Sequence, residues 1–514
     1  MRAPAARAPG LGFEAVRPPA DPSPLRSDVA AFVGPTRRGP IGVPIRVEGW
    51  REYVRVFGGL DRDLDTTYAI RGYFENGGDI AWIIRVAAPG ATISSAIWAA
   101  TGLTAIGNGI FRISAASPGS WSNGARVSLL YRGRTSTGIA TLDVTIRTSD
   151  EFEEHRAIPA AELADRIARD SQLIALEQIG TVPPTTPPTP PRALARDVVV
   201  FGQAGTAAEP QLEDYLDAIE MLVDVPEAAV VAFPELDALG QAATRVTRTA
   251  AASFDPLHDR LVLVDLPRNA PHLRWHADDI LAWVRTTLGR GDDDTARVSR
   301  WWRSAALYHP WVRVSDPLGG VAFPTRDIPP CGHVAGVISQ LDRERGPGST
   351  PANSPLLGVI DLREDYSNAE QALLNPQGVD LLRCVPSLGF SVWGGRTLDR
   401  TTPFVAHRRL VHRLVRAIRR VAEPLVFETN GPVLWFMFVR GITAVLLEAW
   451  RSGALAGRRP EEAFNVVCDA TTNPPEEIDA GRCLCHIELA PATPMEFILI
   501  RVALSRDGSL EVLP

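Results

Sequence analysis

A layered α/β core, interrupted by an inserted β-rich domain and flanked by extended N- and C-terminal arms, is the architecture that the 514-residue sequence predicts. Three observations predict it. Short apolar runs of strand length alternate with segments of helical period on both sides of a central interruption, as in sheets covered by helices. The interruption itself alternates apolar and polar residues between Gly-rich turns, as half-buried antiparallel strands do. The first residues hold no period long enough for a core, and the last apolar run stands beside the chain end.

Along the chain, residues 1–27 are rich in Pro, Ala and Arg and read as an arm with a short extended stretch at 12–17. The N-terminal part of the core spans 28–90: strands at 29–33 and 80–86 enclose helical spacing at 49–57 and 65–76. The insert spans 91–195, with alternation at 126–131 and 141–146, a turn at 122–124 and a helix-like stretch at 160–178. Its prolines at 182–192 favour a stiff polyproline II connector. The middle α/β domain, 196–375, opens with a strand at 198–201, then a helix through 215–223 and buried-type strands at 228–233 and 260–266. The C-terminal domain, 376–514, holds two long helical patterns, 403–421 and 433–452, and ends in the apolar strand 494–503.

Composition narrows the function classes. Apolar residues make up 45% and charged residues 22%, as in a folded soluble protein. No uninterrupted apolar run reaches the roughly 18 residues of a membrane span, so no membrane insertion is expected. Residues 1–10 lack the apolar core of a secretory signal, which implies folding in the cytoplasm. A net charge of −7 argues against a general nucleic-acid binder. All 53 basic residues are arginine, for which a coding bias is a simpler cause than function. The five cysteines are too few and too unevenly spaced for a disulfide framework and read as reduced and structural.

No motif for chemistry emerges. G-x-x-x-x-G-K-[ST], G-x-G-x-x-G, G-x-S-x-G and H-E-x-x-H are all missing. His272 and His276 stand four apart, but Asp278 and Asp279 then look like first-turn residues favoured by a helix dipole. Cys483 and Cys485 would share one face of a strand with no second pair to complete a zinc site. The segment 407–420 interleaves Arg408, Arg409, Arg413, Arg416, Arg419 and Arg420 with Leu410, Val411, Leu414, Val415 and Ile418. It predicts an amphipathic helix whose cationic face has no acid before Glu423 to balance it, suited to an acidic partner.

Several blocks, in order, carry a family resemblance. They include Ala30-Ala-Phe-Val-Gly-Pro-Thr-Arg-Arg-Gly-Pro40, Tyr68-Ala-Ile-Arg-Gly-Tyr-Phe-Glu-Asn-Gly-Gly78 and Ala306-Leu-Tyr-His-Pro-Trp311. Pro330-Cys-Gly-His-Val-Ala-Gly336, Val392-Trp-Gly-Gly-Arg-Thr397, Cys468-Asp-Ala-Thr-Thr-Asn-Pro474 and Asp479-Ala-Gly-Arg482 continue the series. Together they resemble the contractile tail sheath family of phages, pyocins and extracellular contractile injection systems. The arm departs from the family's P-G-V-Y-V opening, with residues 12–16 as its nearest counterpart.

The resemblance implies a structural subunit, with no catalytic residue, cofactor or metal. It would stack in hexameric rings around an inner tube protein, with baseplate and terminal cap proteins as further partners. It would be assembled in the bacterial cytoplasm and belong to a phage tail or phage-like injection particle. Strands exchanged with neighbouring subunits would hold the rings: Phe13, Glu14, Ala15 and Val16 at one end, Phe497, Ile498, Leu499, Ile500, Arg501 and Val502 at the other. The arginines from Arg408 to Arg420 are the candidate tube or ring contact. Rival readings are a hydrolase of subtilisin-like topology and a tail- or capsid-decorating protein.

Overall fold

The computed structural model describes residues 26–99, 109–134, 140–181, 196–206, 208–270, 273–290, 299–320, 324–401, 403–492, 498–504 and 510–513. Strand β1 (Ala30–Gly34) is apolar throughout, and its side chains divide between two cores. Ala30 and Phe32 face one, Ala31 and Val33 the other. Burial on both faces removes the need for polar alternation, so a continuous apolar run is what parallel pairing requires. β2 (Ile45–Glu48), α1 (Gly49–Phe57), α2 (Asp65–Glu75) and β3 (Ile80–Arg85) follow. Beyond the insert come α3 (Leu212–Val223), β4 (Val230–Ala232), α4 (Ala243–Phe254), β5 (Leu261–Asp265), β6 (Ala305–His309), α5 (Cys331–Arg345), β7 (Val379–Val385) and β8 (Gly389–Val392).

These strands form a nine-stranded sheet in the order Ser354–Pro355, β8, β7, β6, β5, β4, β1, β3, β2. Pairing is parallel from β7 to β3 and antiparallel at both edges. Tyr215, Ile219 and Leu222 of α3 and Val246 and Phe254 of α4 pack on one face. Tyr53 and Phe57 of α1, Ile70 and Tyr73 of α2, and Val334 and Ile338 of α5 pack on the other. α2 and α5 approach at backbone distance: a Cβ on Gly332 would stand 2.0 Å from the Ala69 carbonyl oxygen, and one on Gly336 2.5 Å from that of Tyr73.

The insert departs from its sequence reading in two places. Only the first part of the 160–178 stretch is helical, a 3-10 turn at Ala160–Glu162 running into an α-helix at Leu163–Asp170, and Ile174–Thr181 is a strand paired with Gly109–Ala115. The Ser171 hydroxyl accepts the amides of Leu173 and Ile174 at 3.2 and 3.1 Å, which turns the chain out of the helix. The second departure is Arg196–Val200, which pairs antiparallel with Arg126–Arg134 in the insert and does not open the parallel sheet. Its alternating exposure is that of a half-buried strand.

The C-terminal layer comprises α6 (Val405–Ala422), α7 (Pro432–Arg451), β9 (Phe464–Val467), β10 (Cys483–Leu489), β11 (Ile498–Leu504) and β12 (Leu510–Leu513). Leu410, Leu414 and Ile418 of α6 meet Leu434, Phe438, Ile442 and Leu446 of α7 and Cys485, Ile487 and Leu489 of β10 in one core.

The cationic side of α6, expected to suit an acidic partner, is in large part turned into the chain itself. Arg408, Arg409 and Arg416 are 9%, 3% and 1% exposed. Arg409 bonds both oxygens of Asp342 on α5 at 2.5 and 2.6 Å and donates to the Ser27 carbonyl at 2.8 Å. Arg416 donates to the carbonyls of Arg26 and Glu227 at 2.6 and 3.4 Å. Arg408 donates to the Ser304 hydroxyl at 3.1 Å and His258 Nδ1 at 2.6 Å. Arg419 donates to Asp259 at 2.6 Å. Burial pulls Arg408 and Arg416 down to about 9, which leaves both charged at neutral pH. The balancing groups come from segments distant in sequence, where a local charge count cannot see them. Arg413 and Arg420 remain half-buried.

Chain order reverses between β1 and β4, and in open α/β sheets the crevice beyond the strand ends at such a point is where ligands bind. Here the chain's own carboxylate fills it. Glu235, just past β4, accepts the Thr66 amide at 3.1 Å and the Thr66 hydroxyl at 3.0 Å, at the N-terminus of α2. Burial, only partly opposed by those donors, raises Glu235 from 4.5 to about 7.

Two expected outcomes follow from this packing. Arg409→Ala leaves Asp342 buried without its cation and should cost about 3–5 kcal/mol, seen as a lower urea midpoint at unchanged slope. Glu235 binds its proton more tightly folded than unfolded, so its contribution to stability is full below pH 4.5 and is lost as pH rises through 7. In Glu235→Gln the fall in unfolding free energy across that window should shrink by about 2 kcal/mol, measured by urea titration at several pH values.

Candidate functional site

β10 is an interior strand of the four-stranded C-terminal sheet, paired with the edge strand β9 on one side and with β11 on the other. Alternate β10 residues are buried, with Ile487 fully enclosed, because they pack beneath α6 and α7. That leaves the backbone of β10 held firmly as a template. β11 pairs antiparallel with its whole length, from Cys483 opposite Leu504 to Leu489 opposite Ile498, and β12 then pairs with β11. Ile498, Leu499, Ile500, Arg501 and Val502, expected to serve in strand exchange, all lie in β11. In the single chain their ladder is closed on the chain's own β10. Phe497 and the N-terminal candidates Phe13, Glu14, Ala15 and Val16 lie outside the described residues.

A ladder of this kind is selected mainly by backbone geometry. Each of its hydrogen bonds contributes about 1 kcal/mol net, and any strand of the same length and direction can supply them. The template is therefore indifferent to whether the incoming strand belongs to the same chain or to another copy.

The second feature is the outer face of α7, which the sequence reading passed over as one more helical pattern. Leu434, Phe438, Ile442 and Leu446, four apart, form its buried stripe. Val433 and Phe436 point outward at 73% and 67% exposure, and Phe427, just ahead of the helix, is 97% exposed with φ +78°. A phenylalanine at positive φ is uncommon, and here it directs an aromatic ring into solvent. With mean hydropathy 1.6 over its best window, this 20-residue helix is long and apolar enough to cross a membrane by length and composition, although only 22% of that window is buried. The search for uninterrupted apolar runs missed it because Arg440 breaks the run. The available signal was a helix apolar on nearly every side, which is either enclosed or turned to a partner. The buried stripe packs on α6 within a protein core, so a protein partner suits the outer face.

Of the α6 candidates, Arg408, Arg409 and Arg416 are committed inside the chain, whereas Arg413, Arg419 and Arg420 are half-buried. The two acids after His276 are first-turn residues of the short helix Ala277–Ala282, and Asp279 accepts the His276 amide at 3.4 Å. His272 lies outside the described residues.

Residues 277–398 match the family model for the phage tail sheath protein central domain, and residues 399–505 that for the phage tail sheath C-terminal domain. The tail sheath protein of Vibrio phage KVP40 is 29% identical over 190 residues, 36% of this chain and 27% of that protein. The tail sheath protein of Enterobacteria phage T4 is 24% identical over 332 residues, 62% of this chain and 48% of that protein. The chain thus spans less than half the length of either relative. Its fold is similar to the contracted helical sheath of the anti-feeding prophage, with TM-score 0.56 and 22% identity over 96% of this chain and 98% of that one. Residues 277–505 therefore match the central and C-terminal domains of the phage tail sheath protein in series, on a fold similar to that of a solved sheath over nearly the whole chain.

Proposed function

We propose that the chain polymerises as stacked hexameric rings into a sheath around an inner tube, and that contraction of the sheath drives the tube into a target. The observation that carries this reading is the β10–β11 ladder: a terminal strand held along its full length by a rigid template. A neighbouring copy's β11 satisfies the same template without loss of a single ladder bond, so exchange links rings at little cost. The linkage leaves each core free to slide and rotate while the chains stay connected. The relatives bear the name tail sheath protein, and the similar solved structure is a contracted sheath.

The outer face of α7, with Val433 and Phe436, is the contact to the tube or to the next ring. Assembly begins in an extended state templated on the tube. Release at the baseplate lets subunits repack with more mutual contact, and the difference in free energy powers the stroke without a nucleotide. The crevice filled by Glu235 fits a scaffold with no ligand to turn over. Baseplate and cap proteins bound the two ends, and the particle is assembled in the bacterial cytoplasm as part of a phage tail or phage-like injection machine.

Negative-stain electron microscopy of the purified chain should show striated hollow tubes, and a chain lacking residues 494–514 should show none. Discrete monomers from the intact chain, even with tube and baseplate proteins added, would overturn the proposal. Phe436→Glu, at a residue 67% exposed, should leave the thermal midpoint within a few degrees of the parent and still suppress tube formation. Tubes as abundant as those of the parent would remove α7 from the interface.

A further inference from the structure

Three cysteines that the sequence separates come together beneath the C-terminal sheet. Cys468 follows β9 directly, and Cys483 and Cys485 occupy alternate, inward-facing positions of β10. All three belong to the same buried core, at 7%, 5% and 3% exposure. The β9–β10 register ends with Val467 opposite His486, so the next step along it places Cys468 beside Cys485. Cys468 Sγ lies 3.8 Å from Cys483 Sγ, and the register sets Cys485 beside it.

The surroundings favour one thiolate among three sulfurs. The neighbouring thiols of Cys483 and Cys485, with the Asn473 amide 3.7 Å away, pull the Cys468 thiol well below the usual range. The thiols of Cys483 and Cys485 are pushed up, first by Cys468 itself and then by burial. Asn473 also holds the intervening loop to β10: its side chain accepts the Leu484 amide at 2.6 Å and donates to the Leu484 carbonyl at 3.0 Å. The loop is therefore already closed before any covalent bond is made. Among the described residues no group of three His, Cys, Asp or Glu is arranged to hold a metal ion.

We propose that Cys468, Cys483 and Cys485 form an oxidation site at which a small peroxide converts Cys468 into a disulfide with one of the two β10 thiols. The Cys468 thiolate attacks a peroxide oxygen, the O–O bond breaks, and the departing oxygen takes a proton and leaves as water or an alcohol. The sulfenic acid so formed is attacked at sulfur by Cys483 or Cys485, whose proton goes to the hydroxide that leaves as water. Two thiols lose two electrons in total and the peroxide gains them. Closing 3.8 Å to a sulfur–sulfur bond of about 2.05 Å needs only a small approach of β9 toward β10. The bond clamps Cys468 to a residue 15 or 17 positions further along and pins β10, the strand on which β11 docks. A particle assembled in a reducing compartment would acquire this clamp once it met an oxidising one.

The test uses the full-length chain with Cys384→Ser, which removes the exposed thiol. It is treated with graded hydrogen peroxide, quenched in acid, alkylated, digested and analysed by mass spectrometry. A peptide pair linked through Cys468 to Cys483 or Cys485, two hydrogens lighter than the free peptides and released by dithiothreitol, is the expected product. The oxidised chain should also show a urea midpoint shifted upward, with the shift reversed by dithiothreitol and absent in Cys468→Ser. The proposal is overturned if all three cysteines remain alkylatable across the series, or if Cys468 goes to sulfinic acid without a linked peptide. The linkage is read on the isolated chain, so it stands or falls separately from the sheath assignment.

Discussion

A guanidinium can remain in a protein interior only where acceptors meet its N–H groups and a counter-charge or carbonyl cluster offsets its lost hydration. α6 buries Arg408, Arg409 and Arg416. Arg409 is met by Asp342 and Ser27, whereas Arg416 is held through Nη1 while its Nε and Nη2 have no partner among the described residues. The partners converge from widely separated parts of the chain. Asp342 comes from α5, the carbonyls of Arg26 and Ser27 from the start of the described chain, the Glu227 carbonyl from just before β4, and His258 from the end of α4. The requirement for partners fixes where α6 sits against the central sheet. α7 then packs on α6, β10 beneath both, and β11 on β10, so the position of the terminal strand follows from the satisfaction of these buried charges.

The central sheet has the parallel order of many ligand-binding folds, yet a fold decides function only through the groups at its sites. At the chain reversal between β1 and β4 the amide of Thr66 is taken by Glu235, and the close approach of α2 and α5 across Gly332 and Gly336 packs the helices backbone to backbone. Both features trade an open crevice for rigidity. Interdigitated interiors of this kind shift as units and do not deform continuously.

Much of the core was legible because burial on two faces leaves a plain trace: β1 and β5 are continuous apolar runs at strand length, bounded by helical periods. The amphipathic nature of α6 was equally readable, whereas the fate of its arginines was not, since Asp342 and Asp259 lie far off in sequence. The same non-locality hid the cysteine cluster, in which Cys468 completes a pair that looked incomplete on β10 alone. Local chemistry explains the other departures. Ser171 ends a helix that propensity would have carried to residue 178, and Arg440 splits the apolar run of α7 without ending the helix.

The grip of Arg416 and Arg409 on the carbonyls of Arg26 and Ser27 has a mechanical meaning. Arg26 and Ser27, the first described residues, are thus held by the same α6 that packs on β10, the strand to which β11 pairs. Tension drawn along β11 loads its seven register positions together, in shear, and they must yield as a set. Tension across the strand would open them one pair at a time, at far lower force. The β10–β11 pair is therefore stiff to pulling along its strands and compliant to peeling, a directional toughness set by the angle of the load.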